Sequence, residues 1–196
     1  MPTVTIHPVE IRGYWDRGYV LDRHTISSTM IGYNEYGHPE FDTVRSELGE
    51  LVYRLKYKGD KSVLPSIVET TAEFLQTQEF CPSVVIPMPP SKLQRAFQPV
   101  VEISSALAKN LGVPVDSISL AKTKATPQMK DIGDFAARMK ELESVFTTDQ
   151  SLSGQQILLV DDLFQSGASM NVAARVLKQE GLAGSVYALA LTRTRS

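Results

Sequence analysis

The sequence predicts an α/β fold in which a parallel sheet carries helices on both faces. Two short apolar runs, Ser83–Ile86 and Ile157–Val160, are rich in valine, isoleucine and leucine, as strands buried on both sides of a sheet usually are. Segments with apolar residues at helical spacing alternate with these runs along the chain. Because strands that alternate with helices pair in parallel, we expect ligands to bind at the carboxyl ends of the strands.

The composition is that of one ordinary folded domain. Of the 196 residues, 42% are hydrophobic and 21% are charged, so neither a disordered chain nor a fibrous repeat is indicated. The formal net charge of -2 argues against an extended nucleic-acid surface, which is normally basic. The single cysteine, Cys81, excludes an intramolecular disulfide and a multi-cysteine zinc cluster, and we expect it to be buried and inert.

The chain shows no sequence signal for a membrane or for secretion. Residues 1–10 contain neither the basic region nor the apolar core of a signal peptide. No apolar run approaches the roughly 18 residues of a membrane span. We therefore expect a cytoplasmic protein without membrane contact.

The N-terminal part of the chain is the least regular. The alternating stretch Tyr19–Ser27 favours strands or a hairpin. From residue 43 to residue 57, apolar residues recur at helical spacing, with Asp42 as the expected N-cap and Gly59 beyond the end of the helix. Trp15 is expected to contribute to packing rather than to stack on a ligand.

Helices and strands alternate along the rest of the chain. Apolar residues at helical spacing, with prolines in first turns and glycines beyond the ends, predict the helices, and apolar runs predict the strands. In chain order the predictions are a helix over Ser62–Gln76, the strand over Ser83–Ile86, a helix over Pro99–Asn110, a strand within Val113–Ala121, the strand over Ile157–Val160, a helix ending near Gly181 and a strand over Ser185–Leu191. The polar stretch Lys122–Lys140 predicts a long loop.

The segment Ile157–Ser169 carries the chemistry of the sequence. Asp161 and Asp162 directly follow an apolar run, and ionised carboxylates only accept hydrogen bonds, so the pair suits the vicinal hydroxyls of a ribose. The small-residue turn after them can direct backbone N–H groups, hydroxyls and a helix N-terminus at one phosphate. The expected phosphate-binding residues are Gln165, Ser166, Gly167, Ala168 and Ser169. The alternative is that both acids only cap the strand and the helix.

This segment resembles the phosphoribosyl pyrophosphate motif of the type I phosphoribosyltransferases, which has four apolar residues, two acids and a Thr/Ser-Gly-Ala-Thr/Ser turn. Phe164 and Gln165 stand where small or hydroxyl residues are more usual in that motif. Across most of residues 50–192 the chain is also similar to the ComF-like branch of the family. The similar stretches are Val85–Pro90 followed by Lys92, then Arg95–Gln98, and Thr126–Gln128 followed by Arg138 and Phe146. Ala96 replaces a glycine of the ComF pattern, and the cysteine-rich zinc module of typical ComF proteins is absent.

The resemblance implies that ribose 5-phosphate is transferred from phosphoribosyl pyrophosphate to a nitrogenous acceptor, with release of pyrophosphate. Asp161 and Asp162 would form the catalytic pair, because they hold the ribose hydroxyls and favour the positive charge that develops on the ring. Magnesium would bind through the substrate and not at a metal site of the protein. The residues implied in binding the pyrophosphate are Met88, Ser91, Lys92, Arg95, Lys122 and Arg138.

Three further regions have expected roles. Residues 1–60 are expected to form a hood or flanking region over the strand ends, and residues 61–196 the phosphoribosyltransferase-like core of a single compact domain. The stretch Lys122–Lys140 matches the position of the mobile loop that closes over the substrate in the family, with a merely solvated polar loop as the alternative. His24 is an isolated histidine, for which base recognition and a structural role both stay open.

Other functions remain open at this point. The chain could bind phosphoribosyl pyrophosphate or a nucleotide as a non-catalytic sensor, since the pocket motif would look the same. A ComF-like role in handling DNA is a third hypothesis, against which the near-neutral charge and the missing zinc module count. Neither the acceptor base nor the oligomeric state, a homodimer included, follows from the sequence.

Overall fold

The computed structural model describes residues 2–90, 97–123 and 145–194. Within these ranges the chain forms nine strands and four α-helices, with short 3-10 helices at Lys61–Val63 and Gln150–Leu152. In chain order the strands and helices are β1 (Val9–Glu10), β2 (Arg17–Arg23), β3 (Ser27–Tyr33), β4 (Pro39–Val44), α1 (Glu47–Lys58), α2 (Leu64–Gln76), β5 (Val84–Pro87), α3 (Pro99–Leu111), β6 (Ala121–Lys122), β7 (Phe146–Thr147), β8 (Gln156–Phe164), α4 (Ala168–Gln179) and β9 (Ser185–Arg193).

The central sheet has five strands in the order β1-β2-β9-β8-β5. Strands β2, β9, β8 and β5 run parallel to one another, and β1 pairs antiparallel at one edge. The register sets Ile157 of β8 beside Val84 of β5 and Val186 of β9. The predicted parallel sheet is confirmed, and the carboxyl ends of its four parallel strands meet at one edge.

The two faces of this sheet bury separate apolar cores, because side chains alternate along each strand. Leu158 and Val160 of β8 pack with helices α1, α2 and α3 on one face. Ile157 and Leu159 lie on the other face, where α4 and the residues around β7 cover them. Helices therefore lie on both faces of the sheet, as the sequence predicts.

Helix α1 begins later than the predicted start at residue 43. Asp42, the predicted N-cap, lies in β4, and Ser46 caps the helix by accepting a hydrogen bond from the Gly49 N–H at 3.0 Å. Val44 fits the apolar helical spacing in the sequence, but in the structure it belongs to β4 and its side chain is exposed. Gly59 ends the helix with φ 65°, which confirms its predicted position.

The predicted strand within Val113–Ala121 is mostly wrong. Val115 makes one isolated parallel bridge to β5, and the chain then turns before the short strand β6. The turn forms because the Asp116 carboxylate accepts hydrogen bonds from the N–H groups of Ile118 and Ser119, each at 2.9 Å. Those two N–H groups therefore do not join a strand ladder.

The region before residue 60 contributes to the core as well as to a separate hairpin. Strand β2 lies between β1 and β9 inside the main sheet, and α1 packs against β2 and β9. Strands β3 and β4 form an antiparallel hairpin that follows the carboxyl end of β2. The main sheet therefore contains strands from both sides of the predicted boundary near residue 60, and the division into a hood or flanking region and a core stays a prediction. The hood role of the hairpin stays a prediction.

Two residues singled out in the sequence differ in their burial. Trp15 is buried, as expected for a packing residue, and its Nε1–H donates to the Ile11 carbonyl at 2.9 Å. Cys81 is exposed, which corrects the prediction that it is buried, because the chain between α2 and β5 runs over the surface at this residue. No helix in the described ranges is long and apolar enough to cross a membrane.

Candidate functional site

The carboxyl edge of the sheet holds the two acids, one on each face. Asp161 lies on β8 beside Ala190 of β9, on the face that α4 covers. Asp162 points to the opposite face, toward α1, because neighbouring side chains in a strand alternate. The pair that the sequence presents as one unit is thus divided between the two faces.

Lys56 of α1 is the ionic partner of Asp162. Its Nζ lies 2.7 Å from Oδ2 of Asp162, and only 19% of the Lys56 side chain and 12% of the Asp162 side chain are exposed. Burial lowers the pKa of Lys56, but the charge of Asp162 and the hydrogen bond to it outweigh burial, so the pKa is raised overall. The backbone of Asp162 is also fixed, since its carbonyl accepts a hydrogen bond from Thr192 Oγ1 at 3.0 Å.

Asp161 has a different electrostatic environment. Burial, and after it the charge of Asp162, raises the pKa of Asp161 to about 7, against smaller opposite effects of Lys56 and Lys122. Its Oδ1 accepts a hydrogen bond from the Asp162 N–H at 2.8 Å. Burial lowers the pKa of Lys122 on β6, and the charge of Asp161 partly opposes this effect. A carboxyl group that titrates near neutral pH can accept hydrogen bonds from a ligand or exchange a proton with it.

The turn after β8 has a geometry suited to an anion. Gly167 has φ 74°, a left-handed conformation that glycine adopts without strain, and it is the N-cap of α4. Any side chain there would meet Phe164, because an added Cβ would lie 2.5 Å from the ring Cζ. Within the described ranges, the backbone N–H groups from Gln165 to Ser169 donate to no acceptor of the chain, so they can bind a phosphate. Ala168 contributes only its backbone, since its side chain is buried in the core.

Asn171 holds this turn against the N-terminal segment. Its Nδ2 donates to the Gly167 carbonyl at 3.0 Å, and its backbone N–H donates to the same carbonyl at 2.8 Å. Its Oδ1 accepts a hydrogen bond from the Tyr14 N–H at 3.0 Å. A single buried side chain therefore links the turn to the chain that precedes β2.

The predicted pyrophosphate-binding residues are described only in part. The Met88 N–H donates to the Val160 carbonyl at 2.7 Å and extends the ladder between β5 and β8, so it does not face a ligand. Because the Met88 side chain is also buried in the core, Met88 is corrected from a ligand contact to a packing residue. Lys122 lies near Asp161, as described above. Ser91, Lys92, Arg95 and Arg138 lie outside the described residues, as does the predicted mobile loop beyond residue 123.

His24 lies close to Thr192 of β9 and to Gly49 of α1. Its Nδ1 is 3.1 Å from Thr192 Oγ1, and its carbonyl is so close to Gly49 that no side chain could replace that glycine. Burial, followed by the charges of Arg45 and Lys56, lowers the pKa of His24, so the ring is neutral near neutral pH. These contacts are those of a structural residue, and base recognition by His24 stays a prediction.

Two residues of the site are not indicated by the sequence. Lys56 is one of several charged residues of α1, and nothing in the local sequence connects it with Asp162. Asn171 follows Gly167 by one helical turn, and this spacing is the weak signal that could have identified it. Both residues act through contacts between distant parts of the chain.

Comparisons with known proteins found similarities in sequence and in structure. No family model matches the sequence. Competence protein ComFC of Bacillus subtilis (strain 168) is 27% identical over 157 residues, which cover 78% of this chain and 62% of that relative. The chain therefore spans less than two thirds of the length of this relative.

Two solved structures are among those that show structural similarity to this chain. Glutamine phosphoribosylpyrophosphate amidotransferase from B. subtilis, complexed with ADP and GMP, is 15% identical with a TM-score of 0.49, over 80% of this chain and 34% of that chain. Adenine phosphoribosyl transferase from Trypanosoma brucei, in complex with AMP, pyrophosphate and ribose-5-phosphate, is 12% identical with a TM-score of 0.49, over 98% of this chain and 87% of that chain.

The layered parallel sheet, with an acid pair before a glycine turn at its carboxyl edge, defines an α/β fold with helices on both faces. The similarity to ComFC extends over most of the chain. It agrees with the resemblance to the ComF-like branch of the type I phosphoribosyltransferases that the residues indicate.

Proposed function

We propose that the chain binds phosphoribosyl pyrophosphate and transfers its ribose 5-phosphate to a nitrogenous acceptor. The observation that carries this proposal is the acid pair at the end of β8, followed at once by a left-handed glycine and the open N-terminus of α4. The acids suit the ribose hydroxyls, and the turn suits the 5-phosphate. A single stretch of chain would then recognise two adjoining parts of one ligand.

The reaction forms a bond between the acceptor nitrogen and C1 of the ribose, and it breaks the bond between C1 and the pyrophosphate oxygen. The electron pair of the broken bond leaves with the pyrophosphate, and the acceptor nitrogen loses a proton to solvent. Asp161 would accept hydrogen bonds from the ribose and favour positive charge on the ring, while Lys122 would attract the leaving group. Pyrophosphate contacts are also proposed for Ser91, Lys92, Arg95 and Arg138.

Magnesium would be held at this site mainly by the substrate. Magnesium commonly keeps several waters and binds to substrate phosphates instead of to a complete protein cage. When bound, it would neutralise part of the charge on the pyrophosphate.

Pyrophosphate release with a panel of nitrogenous bases tests the proposed transfer. We expect release with at least one base, and we expect Asp161→Asn to lose turnover more than ligand affinity. Asparagine keeps the shape and one acceptor but loses the charge, and a charge-assisted hydrogen bond contributes about 1.5–3 kcal/mol against about 1 kcal/mol for a neutral one. Glu73→Gln on the exposed side of α2 is the matched control, because it removes the same charge away from the carboxyl edge.

Two outcomes of this experiment would change the conclusion. Binding of phosphoribosyl pyrophosphate without release of pyrophosphate from any base would make the chain a sensor instead of a transferase. Unchanged affinity and unchanged turnover in Asp161→Asn would contradict the assignment of the ribose site.

A second candidate function is DNA handling, which the similarity to a competence protein favours. The formal net charge of -2 counts against an extended DNA-binding face. Single-stranded and double-stranded DNA binding measured at several salt concentrations tests this function. Affinity that falls steeply with salt would support it, whereas no binding at low salt would exclude it.

A further inference from the structure

The buried ion pair between Lys56 and Asp162 makes the two acids unequal. Asp161 shares its face of the sheet with α4, and the turn over residues 165–169, the proposed phosphate turn, leads directly into that helix. Asp162 lies on the other face, with its Oδ2 2.7 Å from Lys56 Nζ. Of the two carboxylates, Asp161 is therefore on the same side as the phosphate turn.

The energetics of the pair also separate the roles of the two acids. A carboxylate as buried as Asp162 is costly without a partner, and removing one member of a buried ion pair is strongly destabilising because it leaves an uncompensated charge. A ribose hydroxyl is neutral, so it cannot replace the charge of Lys56 on Asp162. The ion pair should therefore persist when the ligand binds.

We propose that Lys56 is a positioning residue, which holds Asp162 on the α1 side of the sheet so that Asp161 alone meets the ribose hydroxyls. This inference rests on the proposed function and adds a division of labour between the two acids. Asp162 then serves as a fixed negative charge behind Asp161. Lys56 determines how strongly the charge of Asp162 affects the ionisation of Asp161.

Charged groups from several elements face the two acids. Asp162 raises the pKa of Asp161, whereas Lys56 of α1 and Lys122 of β6 lower it. His24, which follows β2, interacts with Asp162, and its lowered pKa keeps the ring neutral near neutral pH. Loss of Lys56 leaves the repulsion between the acids uncompensated, so Asp161 should hold its proton to higher pH.

Carbon NMR of labelled aspartate carboxyl groups measures the titration midpoint of Asp161 without any ligand. In Lys56→Met the midpoint is expected to rise by at least about one pH unit, the lower end of the effect of a neighbouring charge. In Lys56→Arg the positive charge is kept, so the midpoint should stay close to that of the wild type. Lys58→Met is the matched control, because Lys58 is an exposed lysine of the same helix and should not affect the midpoint.

The affinity for phosphoribosyl pyrophosphate as a function of pH provides a second readout. With a midpoint near 7, Asp161 is about half ionised at neutral pH, and a rise of about one unit leaves roughly one tenth ionised. The affinity of Lys56→Met should therefore fall about fivefold near neutral pH and recover at about two pH units above it. The double variant Lys56→Met with Asp162→Asn should bind better than Lys56→Met alone, because no buried charge is left unpaired.

The outcomes distinguish a positioning residue from a merely structural one. A lower melting temperature of Lys56→Met with an unchanged midpoint and unchanged pH dependence would overturn the proposal. Equal losses of affinity in Asp161→Asn and Asp162→Asn would overturn it as well, since both acids would then meet the ribose. If the wild-type protein binds no phosphoribosyl pyrophosphate, the proposed function fails, and the midpoint of Asp161 still decides whether Lys56 controls its ionisation.

Discussion

Replacement of Gly167 by alanine tests the geometry of the phosphate turn. Gly167 has φ 74°, and a residue with a side chain in this left-handed region costs about 1–2 kcal/mol. The new Cβ would also lie 2.5 Å from Cζ and 2.8 Å from Cε2 of Phe164, so the ring must leave its position. Moving the ring away from a favoured rotamer adds about 0.5–1.5 kcal/mol. The summed loss of roughly 1.5–3.5 kcal/mol lowers the melting temperature of a chain of this length by about 3–14 °C.

Gly154→Ala is the matched control for this substitution. Gly154 has φ 72°, but no atom lies within 4 Å of an added Cβ, so this variant should lose only the conformational part of about 1–2 kcal/mol. It should also keep the stabilisation by phosphoribosyl pyrophosphate, which is about 2.7 kcal/mol at about 100 times Kd. Gly167→Ala should lose most of that stabilisation, because the N–H donors of the turn move when the Phe164 ring is displaced.

Thermal unfolding with and without phosphoribosyl pyrophosphate and magnesium measures both effects on the two variants. Equal losses of melting temperature in Gly167→Ala and Gly154→Ala, with equal stabilisation by ligand, would contradict the proposed role of the turn. If Gly167→Ala is less stable than Gly154→Ala but is fully stabilised by ligand, the contact with Phe164 is supported and the phosphate site is contradicted.

Three other substitutions test the acid pair, the link to the N-terminal segment and the start of α1. The pKa of Asp161 is about 7 in the folded protein and about 3.9 when unfolded, so the folded state binds more protons between these values and wild-type stability falls as pH rises from about 4 to about 7. Asp161→Asn should therefore gain melting temperature relative to the wild type across that window, with a constant difference above it. Asn171→Leu leaves the Tyr14 N–H without its acceptor and should cost about 1–3 kcal/mol, with faster hydrogen exchange at Tyr14. Ser46→Ala removes the N-cap of α1 and should cost about 1 kcal/mol, measured as a decrease of about 2–4 °C in melting temperature.

The buried strands of the fold can be predicted from local sequence. The runs Ser83–Ile86 and Ile157–Val160 correspond to β5 and β8, because a strand covered on both faces needs apolar residues at every position. Strand β2 could not be recognised as a core strand in this way. It contains glycine, aspartate and arginine, and its place in the sheet depends on pairing with β9 at the other end of the chain.

The candidate site can be predicted from the sequence where its residues are close together along the chain. Asp161, Asp162 and the turn around Gly167 follow one another, so their order alone indicates a sugar beside a phosphate. The ion pair of Asp162 with Lys56 depends on how α1 packs on the sheet, which no local pattern reports. The sequence predicts a loop from Met88 onward, and with it a ligand contact at the Met88 N–H. In the structure this N–H instead extends the hydrogen-bond ladder between β5 and β8.

The alternation of side chains in a strand has a consequence for any pair of adjacent acids at its end. One acid must face each layer of helices, so in this chain Asp161 faces the α4 layer and Asp162 the α1 layer. The first layer carries the open N–H groups of the turn, and the second supplies Lys56. Because α1 belongs to the region before residue 60, that region takes part in the electrostatics of the site as well as in the sheet. The proposed ligand site and a structural ion pair therefore share one dipeptide, and the charge of Asp161 depends on both layers.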